Sequence, residues 1–290
     1  MENSDISNIH NITLASKIAL IAGNGNFPVK FAKNAKNKGI EIVIIGVKGE
    51  ASEELKELAD KWYELKIGEF GKFLKILKNE KVTQMAFAGG IRRINLFGNV
   101  KIDAKGLLIL AKAKTIRDDV ILRVIANEVE KSGIKVLSPT VLLKDCVAKQ
   151  GLITNRDFTQ EELNDVKFGW NVAKEIGKFD IGQGVVVADG LVVAVEAVEG
   201  TDNMILRAGK LIQKSANSPK GVLVKLVKPQ QDLRLDLPTV GPKTIESMKE
   251  AKLSALAIEA QKTVIIDPIT FQKMANEAKI AVRVFNKDEI

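Results

Sequence analysis

The sequence predicts an α/β protein of two domains: an N-terminal Rossmann-like domain on a parallel sheet, then a distinct C-terminal domain of mixed α/β type. Three observations carry this. In the first half, short apolar runs alternate with amphipathic stretches at the spacing of βαβ units. In the second half an Asp-Gly pair, Asp189-Gly190, stands between two β-branched runs, the mark of an antiparallel hairpin. The chain has 290 residues, more than one compact core usually organises. The expected domains are 1–137 and a catalytic 138–290, with residues 1–16 a polar tail carrying Glu2 and Asp5.

Lys17–Ala22 (KIALIA) reads as the first buried strand. Gly23-Asn24-Gly25-Asn26-Phe27-Pro28 then leads into a helix over Val29–Lys38, with Pro28 suited to the first helical position. A glycine-rich turn between strand and helix lets backbone amides approach a phosphate; it also serves as a purely structural tight turn, and both readings stand. It is not the dinucleotide fingerprint. Pro28 stands where a third glycine belongs, and the next strand, Glu41–Ile45, runs into Gly46-Val47-Lys48-Gly49 with no acidic residue for a ribose. Leu55–Tyr63 reads as a short helix running into a strand, and Gly68–Lys78 as an amphipathic helix. Met85–Ala88 is a strand that ends in Gly89-Gly90-Ile91-Arg92-Arg93, where two arginines form a candidate anion clamp or a pair of surface charges. Arg117-Asp118-Asp119 opens a helix over Val120–Lys131, and Ile134–Leu137 is the final strand of the first domain.

In the second half, Thr159 with Glu162 three residues on is a capping box that starts a helix running to about Ile176. Asp180-Ile181-Gly182-Gln183-Gly184 precedes the hairpin strands Val185–Val187 and Leu191–Val195. The hairpin leads to Glu196, Glu199 and Asp202, with Thr201 expected to cap a helix over Asp202–Lys214. These acids suit a divalent cation at a strand–turn–helix mouth, or serve capping and the helix dipole alone. Gly221–Val227 is a strand with Lys225 inside it. Helix Thr244–Ala251, strands Ala255–Ile258 and Thr263–Ile266, helix Ile269–Glu277 and strand Ala281–Phe285 complete the chain, with Glu259 a further candidate acid.

Hydrophobic residues make up 46% and charged residues 28%, the composition of an ordinary folded protein. The single cysteine, Cys146, allows no internal disulfide and fits a reducing cytoplasm; no Cys/His cluster suggests zinc. No apolar run reaches the roughly 18 residues a membrane span needs. The net charge of +8 suits an anionic partner, but aromatics are only 5% and are not interleaved with basic residues, which argues against nucleic acid. A homodimer is kept as a candidate assembly.

The chemistry is expected in Lys228–Pro242, KPQQDLRLDLPTVGP. Run as an extended segment, period-two geometry puts Asp232, Arg234 and Asp236 on one face and Leu233 and Leu235 on the other. Carboxylates hold Mg²⁺ and arginine forks onto phosphate oxygens, so the row suits a metal with a phosphate; a salt-bridged edge strand would look the same. With the glycine loop and the strand-end arginines, this favours an enzyme acting on a phosphorylated or nucleotide-linked substrate in an interdomain cleft. The alternative is a non-catalytic nucleotide-binding regulatory protein. An NAD(P)-dependent oxidoreductase is disfavoured by Pro28 and the missing acid.

Taken together and in order, Ala22-Gly-Asn-Gly-Asn-Phe-Pro28, Phe87-Ala-Gly-Gly-Ile-Arg-Arg93, Asp180-Ile-Gly-Gln183, Val195-Glu-Ala-Val-Glu-Gly-Thr-Asp202, Val224-Lys225 and Gln231-Asp-Leu-Arg-Leu-Asp-Leu-Pro-Thr-Val-Gly-Pro242 resemble the LpxI-type UDP-2,3-diacylglucosamine pyrophosphatases of Gram-negative bacteria. The resemblance runs from about Lys17 to Phe285. It implies Mg²⁺-dependent hydrolysis of UDP-2,3-diacylglucosamine to 2,3-diacylglucosamine 1-phosphate (lipid X) and UMP in lipid A biosynthesis. Water is expected to attack the glucosamine-side phosphorus, in a cytoplasmic protein peripherally associated with the inner membrane. Gly90 and Asn155 depart from the lysine and arginine common in relatives. With the residue chemistry, the resemblance assigns catalysis to Asp232, Asp236 and Asp202, and metal binding to these three and Glu199. It assigns substrate binding to Gly23, Asn24, Gly25, Arg93, Thr201, Lys225, Gln231, Arg234 and Thr239.

Overall fold

The computed structural model describes residues 12–91, 101–113, 118–212 and 220–290. They fall into two compact units: one runs up to Lys144 and includes Asp232–Asp236, the other comprises Asp145–Gln231 and Leu237–Ile290.

The first unit carries β1 (Lys17–Ala22), α1 (Phe27–Asn37), β2 (Glu41–Val47), α2 (Glu54–Leu58), β3 (Lys61–Leu65), α3 (Phe70–Asn79), β4 (Gln84–Ala88), α4 (Ala104–Ala113), α5 (Asp118–Lys131) and β5 (Lys135–Leu137). Its five strands are parallel in the order β3-β2-β1-β4-β5. The near-continuous apolar content of β1 and β2 is what a parallel strand covered on both faces requires. One face, with Ala19, Val43, Ile45, Met85 and Val136, is covered by Phe73 and Leu77 of α3 and by Ala126 and Val129 of α5. From β1 the strand order runs one way to β2 and β3 and the other way to β4 and β5, so the carboxyl ends of β1 and β4 flank the switch point at which open α/β sheets take ligands. Ahead of β1, Gln84 accepts from the Ala15 amide (2.9 Å) and donates to the Thr13 carbonyl (2.9 Å), holding the described end of the N-terminal segment.

The second unit carries β6 (Gly151–Leu152), α6 (Gln160–Lys178), β7 (Gly184–Ala188), β8 (Leu191–Val195), α7 (Thr201–Ile212), β9 (Val222–Lys225), β10 (Thr239–Val240), α8 (Pro242–Glu250), β11 (Ala255–Glu259), β12 (Val264–Ile265), α9 (Pro268–Glu277) and β13 (Ala281–Phe285). Six strands form a mixed sheet in the order β6-β13-β11-β9-β7-β8: β9, β11 and β13 are parallel, and β7 runs antiparallel to both β8 and β9. The expected hairpin is present, with Asp189 (φ 53°) and Gly190 (φ 75°) both left-handed as its two-residue turn demands. Asp165 of α6 accepts from both turn amides, at 3.1 and 2.7 Å.

Period two sorts the core of this sheet. Val185, Val187, Val222 and Val224 meet Val166, Trp170 and Ala173 of α6, while Val186, Leu223, Leu256 and Ile258 meet Met204 and Ile205 of α7 and Met248 of α8. The predicted capping box starts α6: the Thr159 hydroxyl accepts from the Glu162 amide, and Glu162 returns a bond to the Thr159 amide (2.9 Å). Among the described residues no helix is long and apolar enough to cross a membrane.

Candidate active site

The stretch expected to run extended does not. The Leu235 and Asp236 amides donate to the Asp232 carbonyl at 2.9 and 3.2 Å, so Asp232–Asp236 is a turn. Leu235 drives the departure, since it is buried in the core of the first unit among the residues beneath α3 and α5. The turn folds Arg234 back onto Asp232: Nε and Nη2 reach the two carboxylate oxygens at 3.1 and 2.8 Å, and the Arg234 amide adds a third bond at 3.0 Å. Nη1 of Arg234 also reaches Glu130 at 2.8 Å. Burial pushes the Asp232 carboxyl up, but the Arg234 side-chain and backbone bonds, with the charges of Arg234 and Arg123, outweigh it and leave the group below its ordinary value. Asp232 is therefore a fixed, ionised carboxylate at neutral pH. Asp236 is exposed at the far end of the same turn.

The glycine loop after β1 is shaped by a second glycine pair. The Gly23 amide donates to the Ala88 carbonyl (2.9 Å) and the Asn24 amide to the Gly90 carbonyl (2.8 Å), joining the carboxyl ends of β1 and β4. A Cβ on Gly23 would overlap the Gly90 carbonyl, and one on Gly89 the Asn24 carbonyl. The side chain of Asn24 donates to buried Glu50 at 2.9 Å. The amides of Gly23 and Asn24 are thus already engaged by protein carbonyls. Gly25 (φ 88°) has open space around it. Arg93 lies outside the described residues.

In the second unit, three of the expected binding residues meet. Lys225, at the end of β9 and only 5% exposed, donates to Thr201 Oγ1 (3.0 Å) and to the Thr239 carbonyl (2.8 Å), both neutral oxygens. The Thr201 hydroxyl in turn donates to Glu196 Oε1 at 2.7 Å. Thr201 was expected to cap α7; instead it lies within the helix, and its hydroxyl links a buried ammonium to a buried carboxylate. Glu196 Oε2 is buried and has no partner among the described residues. Gly184 makes room for it, since a Cβ there would lie 2.9 Å from Oε2. The sequence did carry a signal for Glu196: extending β8 by one residue puts it on the face of buried Ala194.

The other two acids are placed differently. Glu199 receives Arg207 Nη2 at 2.6 Å, and Asp202 faces Lys243 Nζ at 3.0 Å. Burial pushes Glu199 up, but the bond and charge of Arg207 and nearby backbone amides hold it below its ordinary value. Gln231 braces the approach to the turn, accepting from the Lys228 amide at 3.0 Å, while the Lys228 ammonium pairs with Asp180.

Whether these carboxylates suit Mg²⁺ follows from the donor set. Among the described residues no three of His, Cys, Asp and Glu are gathered to hold a metal ion. Mg²⁺, however, is commonly held by one or two carboxylates with the remaining positions filled by substrate phosphate and water. Asp232 and Asp236, four residues apart on one turn, supply that number. Both Asp232 carboxylate oxygens are bonded to Arg234, and Asp236 is exposed.

The fold and these clusters define the class: a two-unit α/β protein with a glycine turn between β1 and α1 in the first unit and a buried lysine at the end of β9 in the second. Residues 17–146 match the family model described as LpxI N-terminal domain, and residues 149–283 match LpxI C-terminal domain. A UDP-2,3-diacylglucosamine pyrophosphatase LpxI from Caulobacter vibrioides is 35% identical over 257 residues, covering 87% of this chain and 91% of that protein. The chain belongs to the LpxI family. Among solved structures, the biotin carboxylase domain of Hydrogenobacter thermophilus 2-oxoglutarate carboxylase aligns over 73% of this chain and 44% of that one, at 15% identity and a TM-score of 0.29. An N5-carboxyaminoimidazole synthetase from Staphylococcus aureus aligns over 74% and 47%, at 14% identity and a TM-score of 0.24. Neither likeness bears on function, and this chain spans less than half of either.

Proposed function

We propose that the protein hydrolyses the diphosphate of UDP-2,3-diacylglucosamine to 2,3-diacylglucosamine 1-phosphate and UMP, a step of lipid A biosynthesis. The observation that carries this is membership of the LpxI family across both domains, with a pyrophosphatase relative 35% identical over 87% of the chain. Asp232 is the central carboxylate. Held ionised by Arg234, it is available to accept a proton from water that attacks the glucosamine-side phosphorus. Fixing by three bonds removes the need to reorient it during the reaction. Lys225 binds a phosphate oxygen as a point charge, and the Thr201 hydroxyl, set by Glu196, orients it. Bound Mg²⁺, held by Asp232 and Asp236, would neutralise charge on the diphosphate. Asp202, Glu199, Gly25, Gln231, Thr239 and Arg93 complete the proposed contacts to substrate and metal, whereas the amides of Gly23 and Asn24 are taken by the Ala88 and Gly90 carbonyls. The acyl chains make the substrate a membrane lipid, so peripheral association with a membrane belongs to the same proposal.

Turnover in ¹⁸O-labelled water tests the reaction and its direction together. The expected products are unlabelled UMP and a diacylglucosamine phosphate carrying one ¹⁸O. Label in UMP would overturn attack at the glucosamine-side phosphorus, and absence of either product would overturn the activity.

A further inference from the structure

The outward sides of α1 and α3 are lysine-rich, with Lys33, Lys36, Lys72, Lys75 and Lys78 exposed. Helix α4 differs. Gly106, Ile109 and Ala113 face its core side. At 3.6 residues per turn, Ala104, Leu107, Leu108 and Ala111 fall together on the opposite side. Leu107 is 56% and Leu108 60% exposed. Exposed Lys105 and Lys112 border this apolar stripe, and exposed Lys101 stands just before the helix. Lys112 pairs with Glu128 at 2.9 Å.

We propose that the outward face of α4 docks the protein on an anionic lipid bilayer, with Leu107 and Leu108 entering the acyl boundary and the bordering lysines meeting lipid phosphates. An apolar stripe edged by lysine is the geometry of a helix lying in the membrane interface. The lysine stems extend along the apolar face while their ammonium groups stay among the head groups. A second copy of the chain is a poorer occupant. Two leucines and two alanines offer far less than the roughly 800 Å² per partner of a stable interface. Lysine at the rim, by contrast, complements a negative leaflet surface directly. The docking rests on the proposed function only in that a diacylated substrate resides in a membrane; the surface itself is read without it.

Co-sedimentation of the full chain with vesicles, at fixed moderate salt, tests this. Vesicles of equal phosphatidylglycerol and phosphatidylcholine are expected to bind the protein, and vesicles of phosphatidylcholine alone to bind it far less. Leu107→Ser with Leu108→Ser should weaken partitioning roughly thirty-fold. Lys101→Glu with Lys105→Glu should weaken it at least about ten-fold on the anionic vesicles only. Both variants should keep the wild-type melting curve and wild-type turnover of detergent-dispersed substrate. Wild-type protein that ignores anionic vesicles, or a leucine variant that binds like wild type, overturns the proposal. So does a leucine variant that turns a dimer into a monomer with vesicle binding unchanged, which would assign the face to a second copy. Wild-type protein that binds vesicles as described but does not hydrolyse the substrate supports the docking face and overturns the proposed activity alone.

Discussion

Replacing Lys225 by methionine separates what the fold requires from what the reaction requires. The ammonium is buried, and its hydrogen bonds go to two neutral oxygens, Thr201 Oγ1 and the Thr239 carbonyl. Methionine loses two bonds from a charged donor, each about 1.5–3 kcal/mol, and leaves the Thr239 carbonyl short of a donor at about 1–3 kcal/mol. Against this, a cost of several kcal/mol for holding an ammonium out of water disappears. The methylenes of the Lys225 stem are already buried, so the apolar part of the methionine changes little. The relief offsets most of these losses, and the remaining cost, which includes weaker support for buried Glu196 through Thr201, should lower the melting temperature of Lys225→Met by less than about 10 °C. A phosphate oxygen deprived of a buried charged partner loses about 2–5 kcal/mol, so kcat/KM should fall between roughly thirty-fold and several thousand-fold. Thermal melts by circular dichroism, run beside UMP release, measure both sides. A variant that melts more than about 10 °C lower while turning over at nearly wild-type rate would refute the reasoning and leave Lys225 a structural residue.

Three further outcomes follow from single contacts. Arg234→Gln removes the bonds and charge that hold Asp232 down and leaves the burial that pushes it up, so the acidic limb of the pH–kcat/KM profile should move to higher pH. Because the wild-type carboxyl sits below its unfolded value of about 3.9, its stabilisation is present above that pH and lost as pH falls through the folded value. The stability difference between wild type and this variant should therefore shrink below about pH 4, by urea titration at several pH values. Gly89→Ala, at φ 82° against the Asn24 carbonyl, should destabilise by more than about 3 kcal/mol, whereas Gly25→Ala, at φ 88° in open space, should cost only about 1 kcal/mol by chemical denaturation. Thr159→Ala removes one half of the α6 capping box and should cost about 1 kcal/mol by the same measurement, with turnover unchanged.

Much of the fold was legible because local pattern and tertiary environment agree. Apolar β1, the glycine turn and Pro28 in the first turn of α1 stand where the sequence placed them, as do the Asp189-Gly190 hairpin and the Thr159 capping box. Helix α4 was not anticipated; its apolar residues on two opposite sides give no single hydrophobic stripe to read. The candidate site was less legible. The alternation Asp-Leu-Arg-Leu-Asp imitates a strand, and only the burial of Leu235 in the first unit's core turns it into a loop that puts Arg234 on Asp232. The glycine turn after β1 was expected to face substrate, yet Gly23 and Gly89 accommodate each other's loops, a long-range packing fact that neither motif contains. Among the acids after β8, the eye goes to Glu199 and Asp202 near the helix start, which pair with Arg207 and Lys243; Glu196, the buried one, is the acid that reaches Thr201.

Cleavage of the UDP-2,3-diacylglucosamine diphosphate and the proposed place of Asp232 in it stand or fall together in one assay. UMP release by wild type and Asp232→Asn, each with Mg²⁺ and with EDTA, tests both most directly. The expected result is Mg²⁺-dependent release by wild type and a loss of about a thousand-fold in the variant, with its circular dichroism spectrum unchanged. Undiminished release by Asp232→Asn, or no release by wild type with any divalent ion, would contradict it.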